Sequence, residues 1–124
     1  MMSITTSRRV HPRYSMDAGT SASVEFVFPF PGGHHCSMKL RDISASGLSF
    51  MLDRPMPGLE AGDSIDRVTV RVGELHLHGD LLVMHLTPDA SPGSACGALF
   101  YPRGDRNIIA LQRLIDRLER NVSD

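Results

Sequence analysis

The sequence predicts an all-β domain closed by one amphipathic helix. Three observations carry this. Short runs of alternating or β-branched residues, separated by Gly- and Pro-containing turns, fill the chain from about residue 21 to residue 101. Their even, short spacing suits a sandwich or a small barrel and argues against a parallel α/β sheet. After residue 102 the period changes. Ile108, Leu111, Ile115, Leu118 and Val122 recur at steps of 3, 4, 3 and 4, which marks one face of a helix.

Residues 1–14 read as a flexible arm carrying Arg8, Arg9 and Arg13 with no acidic residue, and residues 15–124 as the folded body. Pro12 biases His11 to an extended conformation. Ser21–Phe28 is a strand, ended by Pro29-Phe30-Pro31-Gly32-Gly33. Cys36–Ile43 alternates, with Cys36, Met38, Leu40 and Asp42 on one side and Ser37, Lys39, Arg41 and Ile43 on the other. Gly47–Leu52 follows, then a loop over Pro55–Gly62. Ile65–Val72 sets Ile65, Arg67, Thr69 and Arg71 against Asp66, Val68, Val70 and Val72. Gly73-Glu74 turns into a long strand, Leu75–Leu86. Residues 87–94 form a polar loop, and Ala95–Tyr101 is the last strand. Asp105 is placed to cap a helix over about residues 105–122, with Arg106, Arg113, Arg117 and Arg120 on its polar face. The apolar stripe of that helix packs on the strands; a homodimer contact or a partner surface is its alternative use.

Composition narrows the function. The chain has 124 residues, 41% of them hydrophobic, which suits one folded domain and is too apolar for a disordered one. Its formal net charge is -1, which argues against coating a nucleic acid polymer through bulk positive charge. The longest apolar stretches, such as Leu81-Leu82-Val83-Met84, are far too short for a membrane span. The first residues lack the apolar core of a secretory signal. Cys36 and Cys96 have no CxxC spacing and read as reduced thiols in a cytoplasmic protein.

Among the 13 basic residues only Lys39 is a lysine. Arginine presents a forked, planar set of donors suited to phosphate and to the O6/N7 edge of guanine. Two short patterns place such chemistry. Arg9-Val10-His11-Pro12-Arg13 is an RxxxR, with Arg8 directly before it, and Asp42-Ile43-Ser44-Ala45-Ser46-Gly47 is a DxSxxG at a turn between two strands. Arginines on an arm grip phosphate or guanine, each good contact contributing roughly 1–3 kcal/mol of discrimination. Asp42 can accept from guanine N1–H and its exocyclic amine, and Ser44 offers a small hydroxyl. Gly47 permits a positive φ and lets a ligand or a neighbouring chain approach closely. The plain alternative is that Asp42, Ser44 and Ser46 only form the turn and Gly47 only reverses the chain.

With both motifs in full and in order, the chain resembles the PilZ domain family, bacterial receptors for cyclic di-GMP. DISASGLSFMLDRPMPGLEAGDSI is similar to the family's third strand and following loop, ending here in Gly62-Asp63. CGALFYP and the terminal helix are similar to its closing elements, so the resemblance covers roughly residues 8–121. It implies a six-stranded antiparallel β-barrel with a C-terminal helix, and a ligand held outside the barrel beneath the arm. Arg8, Arg9, Arg13, Asp42, Ser44 and Gly47 would then form the cyclic di-GMP site. An arginine at the position of Arg8 implies that two intercalated ligand molecules can bind. The implied output is control of an unidentified protein partner in motility, biofilm, polysaccharide or virulence functions. The tail LQRLIDRLERN is similar to the helix of flagellar-brake PilZ proteins. The alternative is a PilZ-like scaffold of the type IV pilus kind that binds proteins without the nucleotide. After Gly47 the chain departs from many members by carrying Leu48 in place of a small residue.

Other chemistries find less support. His34-His35 and His76-x-His78 are the only close histidine pairs, and no third or fourth ligand accompanies them, so no metal is expected. Ser44 lies outside any GxSxG elbow and no paired-carboxylate or Cys–His spacing stands out, so no enzyme is expected.

Overall fold

A computed structural model describes residues 11–16, 19–29, 32–54, 56–86 and 93–123. Among the described residues seven strands run in chain order: β1 (Tyr14–Ser15), β2 (Ala22–Phe28), β3 (His34–Ile43), β4 (Gly47–Met51), β5 (Ser64–Val72), β6 (Leu75–Leu86) and β7 (Ala95–Pro102). Helix α1 (Gly104–Ser123) follows. Every pairing is antiparallel. The neighbours run β3-β2-β5-β6-β7-β4, and β4 returns to β3, which closes a six-strand barrel. Closure leaves no long exposed edge in the ring.

β1 lies outside the ring, on the edge of β3 beyond the end of its ladder with β2. Tyr14 pairs with Ile43 and Ser15 with Asp42, and the Met16 N–H donates to the Arg41 carbonyl at 2.9 Å. The Tyr14 side chain is buried. Arg8 and Arg9 lie outside the described residues, but the chain just after them is stitched to β3.

Three β-bulges reset the side-chain alternation. On β3, Leu40 pairs with Phe50 while Asp42 pairs with Ser49, so Arg41 is the extra residue. Period-2 counting puts Asp42 beside Leu40 on the core side. The bulge instead turns Asp42 outward and Ile43 fully inward. On β5 the extra residue falls between Ile65 and Val68, so Ile65 shares the core with Val68, Val70 and Val72 rather than opposing them. Arg67 there takes φ 60°, and its N–H donates to Asp80 Oδ1 at 3.1 Å. On β6 the shift falls between Val83 and His85, leaving Val83 buried while Met84 and His85 are exposed.

The barrel interior is filled by aliphatic side chains around Phe26 and Phe50, whose rings meet tilted at 59° with centroids 5.8 Å apart. Cys36 and Cys96 are free thiols within it. Burial pushes the Cys96 thiol up to about 12 and also raises that of Cys36.

Helix α1 covers β6 and β7 with a face centred on Leu111 and Leu114, supported by Ala110, Ile115 and Leu118. The expected stripe is rotated in consequence: Ile108, which the sequence periodicity places on it, is 41% exposed. The half-buried Asn107 faces β6 in its place. Its side chain accepts from the His78 N–H at 2.8 Å and donates to the Arg103 carbonyl at 2.7 Å, tying the helix start to β6. The helix begins at Gly104, one residue before the expected Asp105 cap. No helix among the described residues is long and apolar enough to cross a membrane.

Candidate functional site

The site forms where β1, β3, β4, β7 and β6 lie side by side. Their outward residues fall on one register line. Ser15 pairs with Asp42, Asp42 with Ser49, Ser49 with Gly97, and Gly97 with His85. These five residues, with Arg13, Arg41 and Ala95, line one open cleft of about 680 Å³ on the outside of the barrel. That volume suits a small organic ligand. Two of the three bulges serve this line directly, because without them Asp42 and His85 would face the core.

Asp42 is the charged centre of the cleft. Arg13 Nη1 donates to its Oδ1 at 2.8 Å, across 29 residues of sequence. Arg41 Nε stands 3.5 Å from its Oδ2 and donates to Ser49 Oγ at 3.2 Å. Two guanidinium groups therefore flank one carboxylate, and the wall carries an excess of positive charge. Both arginines remain partly exposed, so an anion entering the cleft meets donors that need little desolvation.

The β3–β4 turn supports this wall from behind. The Ser44 N–H donates to the Gly47 carbonyl at 2.8 Å. Ser44 Oγ accepts from the N–H groups of Ser46 and Gly47 at 3.2 and 3.1 Å, and lies 3.3 Å from the Gly47 carbonyl, to which it can donate. Ser44 is buried, and its hydroxyl is engaged within the turn rather than aimed into the cleft. The Ser46 carbonyl accepts from the Phe100 N–H at 3.0 Å, which fastens the turn to β7. Gly47 does not take the positive φ that its place in a turn suggests. A Cβ there would lie 2.5 Å from the Ala98 carbonyl oxygen, so the residue is small because β7 passes directly over it.

Of the residues singled out from sequence, Arg13 and Asp42 meet in the cleft, Ser44 and Gly47 shape the turn beneath it, and Arg8 and Arg9 lie outside the described residues. Ser15, Arg41, Ser49, Ala95, Gly97 and His85 complete the lining and carry no motif. Their placement follows from register and bulges, which no spacing pattern reveals. Among the described residues no group of three or more His, Cys, Asp or Glu side chains is positioned for a metal ion. His78 Nδ1 instead meets Thr69 Oγ1 at 3.1 Å, and His76 Nε2 meets Arg71 Nη1 at 2.8 Å.

The chain is thus a closed antiparallel barrel with an added strand at Tyr14–Ser15 and an external arginine–aspartate cleft. Solved structures specify the class further. The chain superposes on the K. pneumonia MrkH–c-di-GMP complex with a TM-score of 0.81 at 18% identity, covering 95% of this chain and 55% of that one. It superposes on the PilZ domain with c-di-GMP of YcgR from Escherichia coli with a TM-score of 0.76 at 19% identity, covering 94% and 95%. The Bacillus subtilis inhibitor of motility MotI/DgrA gives a TM-score of 0.66 at 19% identity, covering 93% and 52%. The chain thus spans about half the length of MrkH and MotI and nearly all of the YcgR domain. No protein-family model and no curated protein sequence matches the chain significantly. The fold is that of a PilZ domain, as the two motifs imply.

Proposed function

We propose that this chain is a cytoplasmic receptor for cyclic di-GMP that regulates a protein partner and has no catalytic role. The observation that carries the reading is the meeting of Arg13 and Asp42, one from each motif, at 2.8 Å in a single open cleft. Two structural neighbours were solved with c-di-GMP, which supports the ligand assignment. In this reading Arg13 releases Asp42 to the guanine edge and turns to the phosphates, joined by Arg8 and Arg9 from the arm. Ser44 and Gly47 hold the turn that presents Asp42. Arg8, directly before the RxxxR, supports binding of two intercalated ligand molecules. In this reading the N-terminal arm folds over the ligand and creates the surface that the partner reads. The motility inhibitor among the neighbours supports a motility output.

The test is a calorimetric titration of cyclic di-GMP into the wild type and an Arg9→Ala/Arg13→Ala variant, with GTP and cyclic di-AMP as controls. Selective binding by the wild type, lost in the variant, is the expected result. A stoichiometry of two supports the role given to Arg8, and a stoichiometry of one removes it. A folded wild type that does not bind overturns the receptor reading.

A further inference from the structure

Arg13 and Asp42, the motif residues that line the cleft, lie at one end of it, and neither accounts for the other end. The register line there reads Asp42, Ser49, Gly97, His85 across four adjacent strands. At about 4.8 Å per strand, His85 stands roughly 14 Å from Asp42, farther than one nucleobase can reach. The floor between them is low, formed by Ser49, whose hydroxyl is held by Arg41, and by Gly97, which has no side chain. His85 is exposed and carries the one aromatic ring among the described residues lining the cleft. The bulge between Val83 and His85 is what aims this ring outward beside Gly97.

From this geometry we infer that His85 is a second base-holding residue, whose imidazole stacks on a purine lying over Gly97 while Asp42 engages the other end of the same ligand. The inference rests on the receptor reading above and extends it to a part of the cleft that neither motif supplies. A flat ring beside a floor without side chains favours a flat partner. Stacking is tolerant of base identity, so His85 contributes affinity for the purine over Gly97, while Asp42 reads the edge of the base at the other end of the ligand. Gly97 is part of the device: a methyl group there would rest 3.7 Å from the His85 ring and Cβ, an ordinary contact for the fold but an obstruction to a base beside the ring.

The experiment measures cyclic di-GMP affinity by calorimetry for the wild type, His85→Ala, His85→Phe and Gly97→Ala. His85 is exposed and an alanine at 97 meets only ordinary contacts, so all variants are expected to fold, and circular dichroism checks this. Loss of stacking in His85→Ala weakens binding about tenfold or more, whereas His85→Phe, which keeps a flat ring, stays within about threefold of wild type. Gly97→Ala weakens binding with His85 intact. Wild-type affinity in His85→Ala, alongside lost binding in Arg13→Ala, overturns this inference and leaves the receptor reading standing. Equal losses in His85→Ala and His85→Phe overturn stacking as the role of the ring. A folded wild type that does not bind cyclic di-GMP overturns both readings.

Discussion

Replacing Gly47 with alanine separates close strand approach from backbone freedom as the reason for glycine in the DxSxxG turn. Gly47 does not have a positive φ, so an alanine there incurs no left-handed strain. Its Cβ would nevertheless lie 2.5 Å from the Ala98 carbonyl oxygen, where real Cβ atoms stay beyond 3.0 Å. The obstacle is backbone, so no side-chain rotation relieves it, and β4 must part from β7 by at least half an ångström. The bonds from the Ser44 N–H to the Gly47 carbonyl and from the Phe100 N–H to the Ser46 carbonyl oppose that movement. Overpacking of this kind costs about 1–3 kcal/mol. Restricting the unfolded chain returns about 0.4–1 kcal/mol. The net loss of up to about 2.5 kcal/mol lowers the unfolding midpoint of a domain this size by up to about 10 °C. Gly97→Ala is the matched control. It lies on the same pair of strands, and its Cβ meets nothing closer than 3.7 Å. It should be neutral or stabilising by up to about 1 kcal/mol. Thermal and urea unfolding followed by circular dichroism measure both variants. A Gly47→Ala protein as stable as Gly97→Ala would refute the steric reasoning.

Further expectations follow from other parts of the structure. Arg13→Ala removes a partly exposed ion pair and should cost less than about 1 kcal/mol of stability in urea titrations. In the receptor reading the same change lowers cyclic di-GMP affinity about tenfold or more, so stability and binding separate at one residue. Leu114→Ala should destabilise by about 2–5 kcal/mol, because the side chain is fully buried between α1 and the barrel. Ile108→Ser, on the exposed side of the same helix, should stay within about 0.5 kcal/mol of wild type. Cys36 and Cys96 should resist thiol reagents in the folded protein and react only on unfolding, since burial disfavours both thiolates. With the folded Cys96 thiol raised from 9.0 to about 12, its contribution to stability is complete below about pH 9 and is lost as pH rises toward 12. Urea midpoints compared at pH 8 and 10 for wild type and Cys96→Ala read that slope.

The sequence made the elements legible. Each barrel strand, the Gly73-Glu74 connection and the terminal helix announce themselves through β-branched runs, turn residues and a change of period. Aligned motifs also name the half of the cleft that holds Arg13 and Asp42. What stayed hidden was phase. Counting by twos from Cys36 predicts a buried Asp42, and counting by twos from Ile65 separates it from Val68. Both counts fail at a single extra residue, which leaves no mark in composition. The helix face was misjudged for a related reason. Ile108 fits an apolar stripe, but the structure leaves it exposed and turns the half-buried Asn107 toward β6, where its amide serves the His78 N–H and the Arg103 carbonyl. His85 and Gly97 carried no signal, since only the pairings of β6 with β7, β7 with β4 and β4 with β3 bring them into line with Ser49 and Asp42.

Each bulge works on the pleat as a frameshift works on a reading frame. Downstream of Arg41, every side chain of β3 up to the turn exchanges inside for outside. Length is therefore a harder constraint than chemistry along these strands. Substituting Arg41 removes its contacts with Asp42 and Ser49 but keeps the phase, whereas deleting it would restore strict alternation, drive the Asp42 carboxylate into the barrel and expel Ile43. The same logic at Met84 would turn the His85 imidazole inward among the aliphatic side chains. Two inserted residues thus decide which wall of the barrel the neighbouring functional groups occupy.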